Sequence, residues 1–174
     1  MKSIYLAGFD VFRPDAKAWG ATLKLLCNKY GYEGLYPLDN ALPSGMSGLE
    51  QARWICKANI ALIHQADIVM ANLNPFRGAE PDSGTVFEVG YAAALGKPVW
   101  VYTSESRSMV KQVATAVMPS PSGRVHIDAQ GYAVEDFGLN LNLMIACSAK
   151  VVVGTAEDCL AELDGGRGQT PCGV

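Results

Sequence analysis

Short apolar runs alternate along this chain with longer stretches of helical spacing. Residues 4–7, Ile-Tyr-Leu-Ala, predict a first strand, and Pro14 opens a helix through Trp19, Leu23, Leu26 and Tyr30 that stops at Gly31. Residues 34–36 predict a weaker strand. After a loop over 37–48, rich in Pro, Gly, Asn and Asp, the spacing of Trp54, Ala58, Leu62 and Ile63 predicts a helix over 49–65. Residues 68–73 read as a strand buried on both faces, 85–95 as a helix and 98–102 as a fourth strand. Residues 104–122 are ambiguous, with Pro119 and Pro121 predicting a terminal loop, and 124–133 predict a small hairpin turning near Asp128-Ala129-Gln130-Gly131. A helix over 139–150 leads into a fifth buried strand, Val151-Val152-Val153, and Thr155 caps a last helix to Leu163. The Gly-rich residues 165–174 read as a mobile tail after a single domain over 1–164.

Strands separated by helices predict an α/β fold: one doubly wound, flavodoxin-like or Rossmann-like, five-stranded parallel sheet with helices on both faces. Ligands of such sheets bind beyond the carboxyl ends of the strands. The informative loops therefore follow Ala7, Tyr36, Leu73 and Tyr102.

Beyond the third of these ends lies Pro81-Asp82-Ser83-Gly84-Thr85-Val86-Phe87-Glu88-Val89-Gly90. Glu88 is expected in the first turn of a helix, where unpaired N–H groups favour an ionised carboxylate, with Asp82 folded back toward it. Such a pair can divide attack on carbon and proton transfer between its members. Thr85-x-x-Glu88 equally fits a capping box, with Asp82 or Ser83 capping or turning the chain, and spacing leaves both readings open. Phe9 and Phe12 either line a slot for a planar ligand or pack their loop onto the core. Tyr5, near a strand end, either points into the cleft or is a core tyrosine with a satisfied hydroxyl.

Composition narrows the partners. A net charge of −3 without Lys/Arg clusters argues against nucleic acid, and no apolar run is long enough to span a bilayer. The five cysteines are scattered and form no C-x-x-C pair, so neither a disulfide framework nor a zinc site is predicted, and a reduced cytoplasmic protein is expected. The first strand is followed by no Gly-x-Gly-x-x-Gly fingerprint, and the chain holds no Walker loop or Gly-x-Ser-x-Gly elbow. His64 and His126 stand alone.

Ile4-Tyr5-Leu6-Ala7-Gly8, then Asn74-Pro75-Phe76-Arg77-Gly78 with Pro81-Asp82-Ser83-Gly84-Thr85-x-x-Glu88-x-Gly90, and finally Asn142-Leu143-Met144 together resemble the nucleoside 2-deoxyribosyltransferase family, over residues 2–163. The resemblance implies that Glu88 attacks C1′ of a 2′-deoxynucleoside and that Asp82 protonates the departing base and deprotonates the incoming one. It implies that Tyr5 orients the nucleophile and that Asn59, eight residues before Asp67, contacts the base. Asn142 would reach a neighbouring subunit's pocket and bind the sugar 5′-hydroxyl, in a homo-oligomer. Phe9, Phe12, Ser83, Gly84 and Met144 complete the set expected to line the substrate site. Nucleosides and free bases are the expected partners, with no metal or organic cofactor. Two other readings stay open: a related deoxynucleoside 5′-monophosphate N-hydrolase, in which Ser83 and the helix start would hold phosphate, and a nucleotide-binding module without catalysis. Arg77 either organises its loop by pairing with Glu80 or Asp82, the favoured reading, or touches substrate.

Overall fold

The computed structural model describes residues 1–121 and 123–166. In chain order these form β1 (Lys2–Gly8), α1 (Ala16–Lys29), β2 (Tyr32–Leu35), α2 (Gly48–Gln65), β3 (Ile68–Asn72), α3 (Ser83–Ala94) and β4 (Val99–Thr103). There follow α4 (Met109–Gln112), β5 (Thr115–Ser120), β6 (Gly123–Asp128), β7 (Ala133–Val134), α5 (Leu143–Ala146), β8 (Lys150–Val153) and α6 (Ala156–Gly165). The expected tail falls almost wholly outside the described residues.

The main sheet has five parallel strands in the order β2-β1-β3-β4-β8. Strand alternation builds a core on each side of it. Along β1, Ile4 and Leu6 join Leu23 and Cys27 of α1 and Leu160 of α6, whereas Tyr5 and Ala7 join Ile63 of α2 and Val89 and Ala92 of α3. The helices thus cover both faces, and every residue of β3 is buried, as the apolar run from Ile68 to Ala71 predicts. Successive strands wind outward in opposite directions from β1, which opens a crevice between the ends of β1 and β3.

Three stretches differ from expectation: residues 104–122, residues 139–150, and β8, expected buried but placed at the sheet edge with Val153 54% exposed. Residues 104–122 are not a loop at their end: β5 pairs antiparallel with β6, and β6 with β7, in a second, three-stranded sheet. Pro119 lies in β5, an edge strand, where proline's missing N–H is tolerated. The hairpin at Asp128 is present, its turn held by Asp128 Oδ1, which accepts from the N–H groups of Gln130 and Tyr132. The helix expected over 139–150 shrinks to Leu143–Ala146, because Asn142 caps it and the Ser148 hydroxyl turns back onto the Met144 carbonyl. Among the described residues no helix is long and apolar enough to cross a membrane.

Candidate active site

Asp82 is the N-cap of α3. Its Oδ2 accepts from both the backbone N–H and the hydroxyl of Thr85, each at 2.9 Å. Gly84 gives this carboxylate room, since a Cβ there would stand 3.1 Å from Asp82 Oδ2. Asp82 thus caps the helix, as one of the readings allowed, while Thr85-x-x-Glu88 forms no capping box. Thr85 is engaged by Asp82, and α3 starts at Ser83, so Glu88 sits in the second turn and caps nothing.

Glu88 instead faces the sheet. Its Oε1 accepts from the Tyr5 hydroxyl at 2.6 Å and from Asn59 Nδ2 at 3.3 Å. Its Oε2 accepts nothing among the described residues. Three elements hold this carboxylate: β1 supplies Tyr5, α2 supplies Asn59 and α3 supplies Glu88. Burial dominates its electrostatics and pushes the Glu88 carboxyl up to about 7, against the downward pull of the bonds from Tyr5 and Asn59 and with a further upward push from the charge of Asp82. The expectation of a carboxylate kept ionised by a helix start is therefore corrected, since desolvation outweighs the dipole in the second turn. The Tyr5 phenol is held far above its ordinary value, first by burial and then by the Glu88 charge and hydrogen bond, so it remains a donor at every relevant pH. This bond makes Tyr5 a core residue that also faces the site.

Phe76 stacks on both Phe9 and Phe12, with ring centroids 4.8 and 5.4 Å apart. The two phenylalanines thus clasp the β1–α1 loop to the β3–α3 loop. Arg77 pairs with neither Glu80 nor Asp82. Its guanidinium lies 4.6 Å from the Phe76 centroid and 5.2 Å from that of Phe12, a cation–π cover on a residue whose φ is 56°.

Ser83, Asn142 and Met144 do not join Glu88 within the chain. They line a separate cleft of about 570 Å³ together with Glu80, Asp128 and Glu135. Asn142 is doubly engaged there: its Nδ2 donates to Glu135 Oε1 at 2.6 Å and its Oδ1 accepts from Met144 N at 3.0 Å. Glu135 also accepts from Leu143 N. Sequence reading missed Glu135, which is tied to Asn142 through irregular backbone that no periodicity marks. It also missed Phe76 as the ring that joins Phe9 and Phe12, although that residue stands in the same quoted motif.

The arrangement offers a largely buried carboxyl with one free oxygen, raised toward neutrality, a second carboxylate at the cap of the same helix, and a tyrosine that fixes the first. This is the equipment for nucleophilic attack at an electrophilic carbon with proton transfer alongside.

Comparison with known proteins bears on this arrangement. A sequence model described as nucleoside 2-deoxyribosyltransferase matches residues 4–144. A 2-deoxyribosyltransferase from Leishmania mexicana is 33% identical, superposes with a TM-score of 0.75, and is aligned over 96% of this chain and 99% of its own. A conserved protein from Enterococcus faecalis shares the fold at a TM-score of 0.59 and 22% identity, over 95% of this chain and 98% of its own. An uncharacterized protein of Schizosaccharomyces pombe is 33% identical over 156 residues, 81% of this chain and 74% of the relative. The matched span contains Tyr5, Asn59, Asp82, Glu88 and Asn142, and this chain belongs to the nucleoside 2-deoxyribosyltransferase family.

Proposed function

We propose that the protein transfers 2-deoxyribose between nucleobases, purines above all, through a covalent ester on Glu88. The observation that carries this reading is the Glu88 carboxylate, fixed through one oxygen by Tyr5 and Asn59 and free at the other. In the proposed reaction Glu88 Oε2 attacks C1′ and the C1′–N bond breaks. The departing base takes a proton from Asp82. A second base then attacks C1′, the carboxylate leaves, and Asp82 recovers the proton. Two inversions give net retention, and the oxocarbenium-like charge at C1′ develops beside a carboxylate, as in retaining glycosidases.

The cleft at Asn142 favours a sugar with a free 5′-hydroxyl over a 5′-monophosphate. Glu80, Asp128 and Glu135 line it, without a Lys or Arg, and three carboxylates repel a phosphate. Incubation with 2′-deoxyinosine and no acceptor is expected to add the mass of one deoxyribosyl group to the intact protein, and 2′-deoxyinosine 5′-monophosphate is expected to add none. A Glu88→Ala variant should show no adduct with 2′-deoxyinosine. Labelling of that variant by 2′-deoxyinosine would place the nucleophile elsewhere.

We also propose that the site is completed by a second copy of the chain, to whose pocket Asn142 contributes. Of the 18 residues of α2 only Ile63 is buried, and Leu49 and Ile55 on α2 and Phe87 on α3 are exposed, apolar positions on the two helices that carry Asn59 and Glu88 and that suit an interface. Closing it would exclude the water that competes with the second base. Phe87→Asp is expected to shift the protein toward monomer in sedimentation and to lower base exchange in parallel. A monomeric variant with full activity would overturn the shared site.

A further inference from the structure

A second cleft, of about 530 Å³, opens on the other side of the sheet, between α1 and the start of α6, over the carboxyl ends of β1, β3 and β4. It sits at the crevice where the strand order reverses, the place where sheets of this kind receive ligands. Glu88 and its partners lie on the opposite face and do not line it.

Its walls are apolar and its floor is polar. Phe9, Trp19, Leu23 and Leu26 form the sides, and Asp10, Asn72 and Tyr102 are 5%, 6% and 6% exposed. The Asp10 carboxylate ties the turn after β1 to the end of β3: its Oδ2 accepts from Asn72 Nδ2 at 2.8 Å, and Gly8 leaves room for both, since a Cβ there would lie 2.9 Å from each of Asp10 Oδ2 and Asn72 Cβ. Asn72 Oδ1 in turn accepts from Asn74 Nδ2 and N. Asp10 Oδ1 accepts nothing among the described residues, and Arg13, the one cation of the lining, is forked on Asp15 at 2.9 and 3.1 Å. Two more polar atoms of the lining lack partners among the described residues: the Tyr102 hydroxyl and the buried Trp19 Nε1. The buried Tyr36 hydroxyl, outside the lining, is unsatisfied too. Burial and then the nearby Asp10 charge push the Tyr36 phenol up to about 12 and the Tyr102 phenol up further.

A carboxylate this buried, with one oxygen unanswered, is costly unless N–H donors reach it. The proposed transfer reaction uses none of these groups. A donor that answers Asp10 must enter from the cleft, and the aromatic and aliphatic walls admit a flat body. We propose that this cleft binds a guanine-type base, its ring against Trp19 and Phe9, with two adjacent N–H donors of its edge on the Asp10 carboxylate and its carbonyl and ring nitrogens within reach of the Tyr102 hydroxyl and the Asn74 amide. A carboxylate accepts such a donor pair bidentately, and a base without the 2-amino group forfeits one of the two bonds. The site is separate from the transfer centre, so its occupancy stands or falls independently of base exchange.

The test is calorimetric titration of a Glu88→Ala protein, which cannot turn substrate over, with guanosine and with inosine. Guanosine is expected to saturate a site that Asp10→Asn weakens by about tenfold or more. Thr22→Trp, an exchange at an exposed position that fills the cleft mouth, is expected to abolish the same site without touching the core. Inosine should bind that site about tenfold more weakly than guanosine. Guanosine binding that Thr22→Trp leaves unchanged, equal binding of inosine, or no saturable binding at millimolar guanosine would each overturn the proposal.

Discussion

Glu88→Gln is expected to lose base exchange by on the order of 10³-fold or more while making the protein more stable at alkaline pH. The loss follows from replacing the free Oε2 by an amide nitrogen, which cannot form the ester. The gain follows from the titration of the buried acid. Its folded value of about 7 lies above the ordinary carboxylate value of 4.5. An acid whose folded value is raised favours the fold while it is protonated. That advantage is complete below about pH 4.5, shrinks as pH rises, and has turned into a constant penalty for the charged form above about pH 7. The penalty is of order 3 kcal/mol at most, and Gln, which keeps an oxygen for Tyr5 and Asn59, does not incur it. Calorimetric melting at pH 4.5 and pH 8 reads this directly: little difference between variant and parent in acid, and a higher Tm for the variant in base. A variant that gains nothing between the two pH values would refute the raised carboxylate.

Tyr5→Phe is expected to slow base exchange at pH 7 by about 10- to 100-fold and to move the acidic limb of the pH profile upward by about one to two units. The 2.6 Å bond from the phenol is the shorter of the two that oppose desolvation of Glu88. A hydrogen bond to a charged group contributes about 1.5–3 kcal/mol, and losing it leaves the ionised form less favoured by that amount. Activity should recover as pH rises toward the new limb. Recovery separates a positioning role from a structural one, for a merely loosened core would lower the rate without moving the profile. A rate that falls equally at all pH values would contradict the role assigned to Tyr5.

Much of this architecture is written in the chain, for reasons that particular residues make plain. The central parallel strands are buried on both faces, so Ile68 to Ala71 stands out as an unbroken apolar run, whereas Val151 to Val153 is equally apolar in an edge strand whose Val153 is exposed. The second sheet is the reverse case. Its strands are half exposed, β5 is an edge that carries Pro119, and neither feature leaves an alternating pattern. Leu139 to Lys150 misled for a different reason: Asn142 spends its side chain on a cap and on Glu135, so only one turn of helix forms. At the site, Asp82 and Glu88 were legible from local spacing. Which of them caps the helix was not, because the choice depends on Tyr5 and Asn59 offering Glu88 a better use from 83 and 29 residues away. The Asp10–Asn72 bridge is invisible in sequence for the same reason, being set by the β1–β3 register that places Gly8 beside Asn72.

The central claim, transfer of deoxyribose from one base to another, is tested most directly by chromatography of the protein with 2′-deoxyinosine, in one tube with free adenine and in another without it. New 2′-deoxyadenosine that forms only where adenine is present is the predicted result. Hypoxanthine released equally in both tubes, with no 2′-deoxyadenosine in either, would contradict the claim and make the protein a hydrolase.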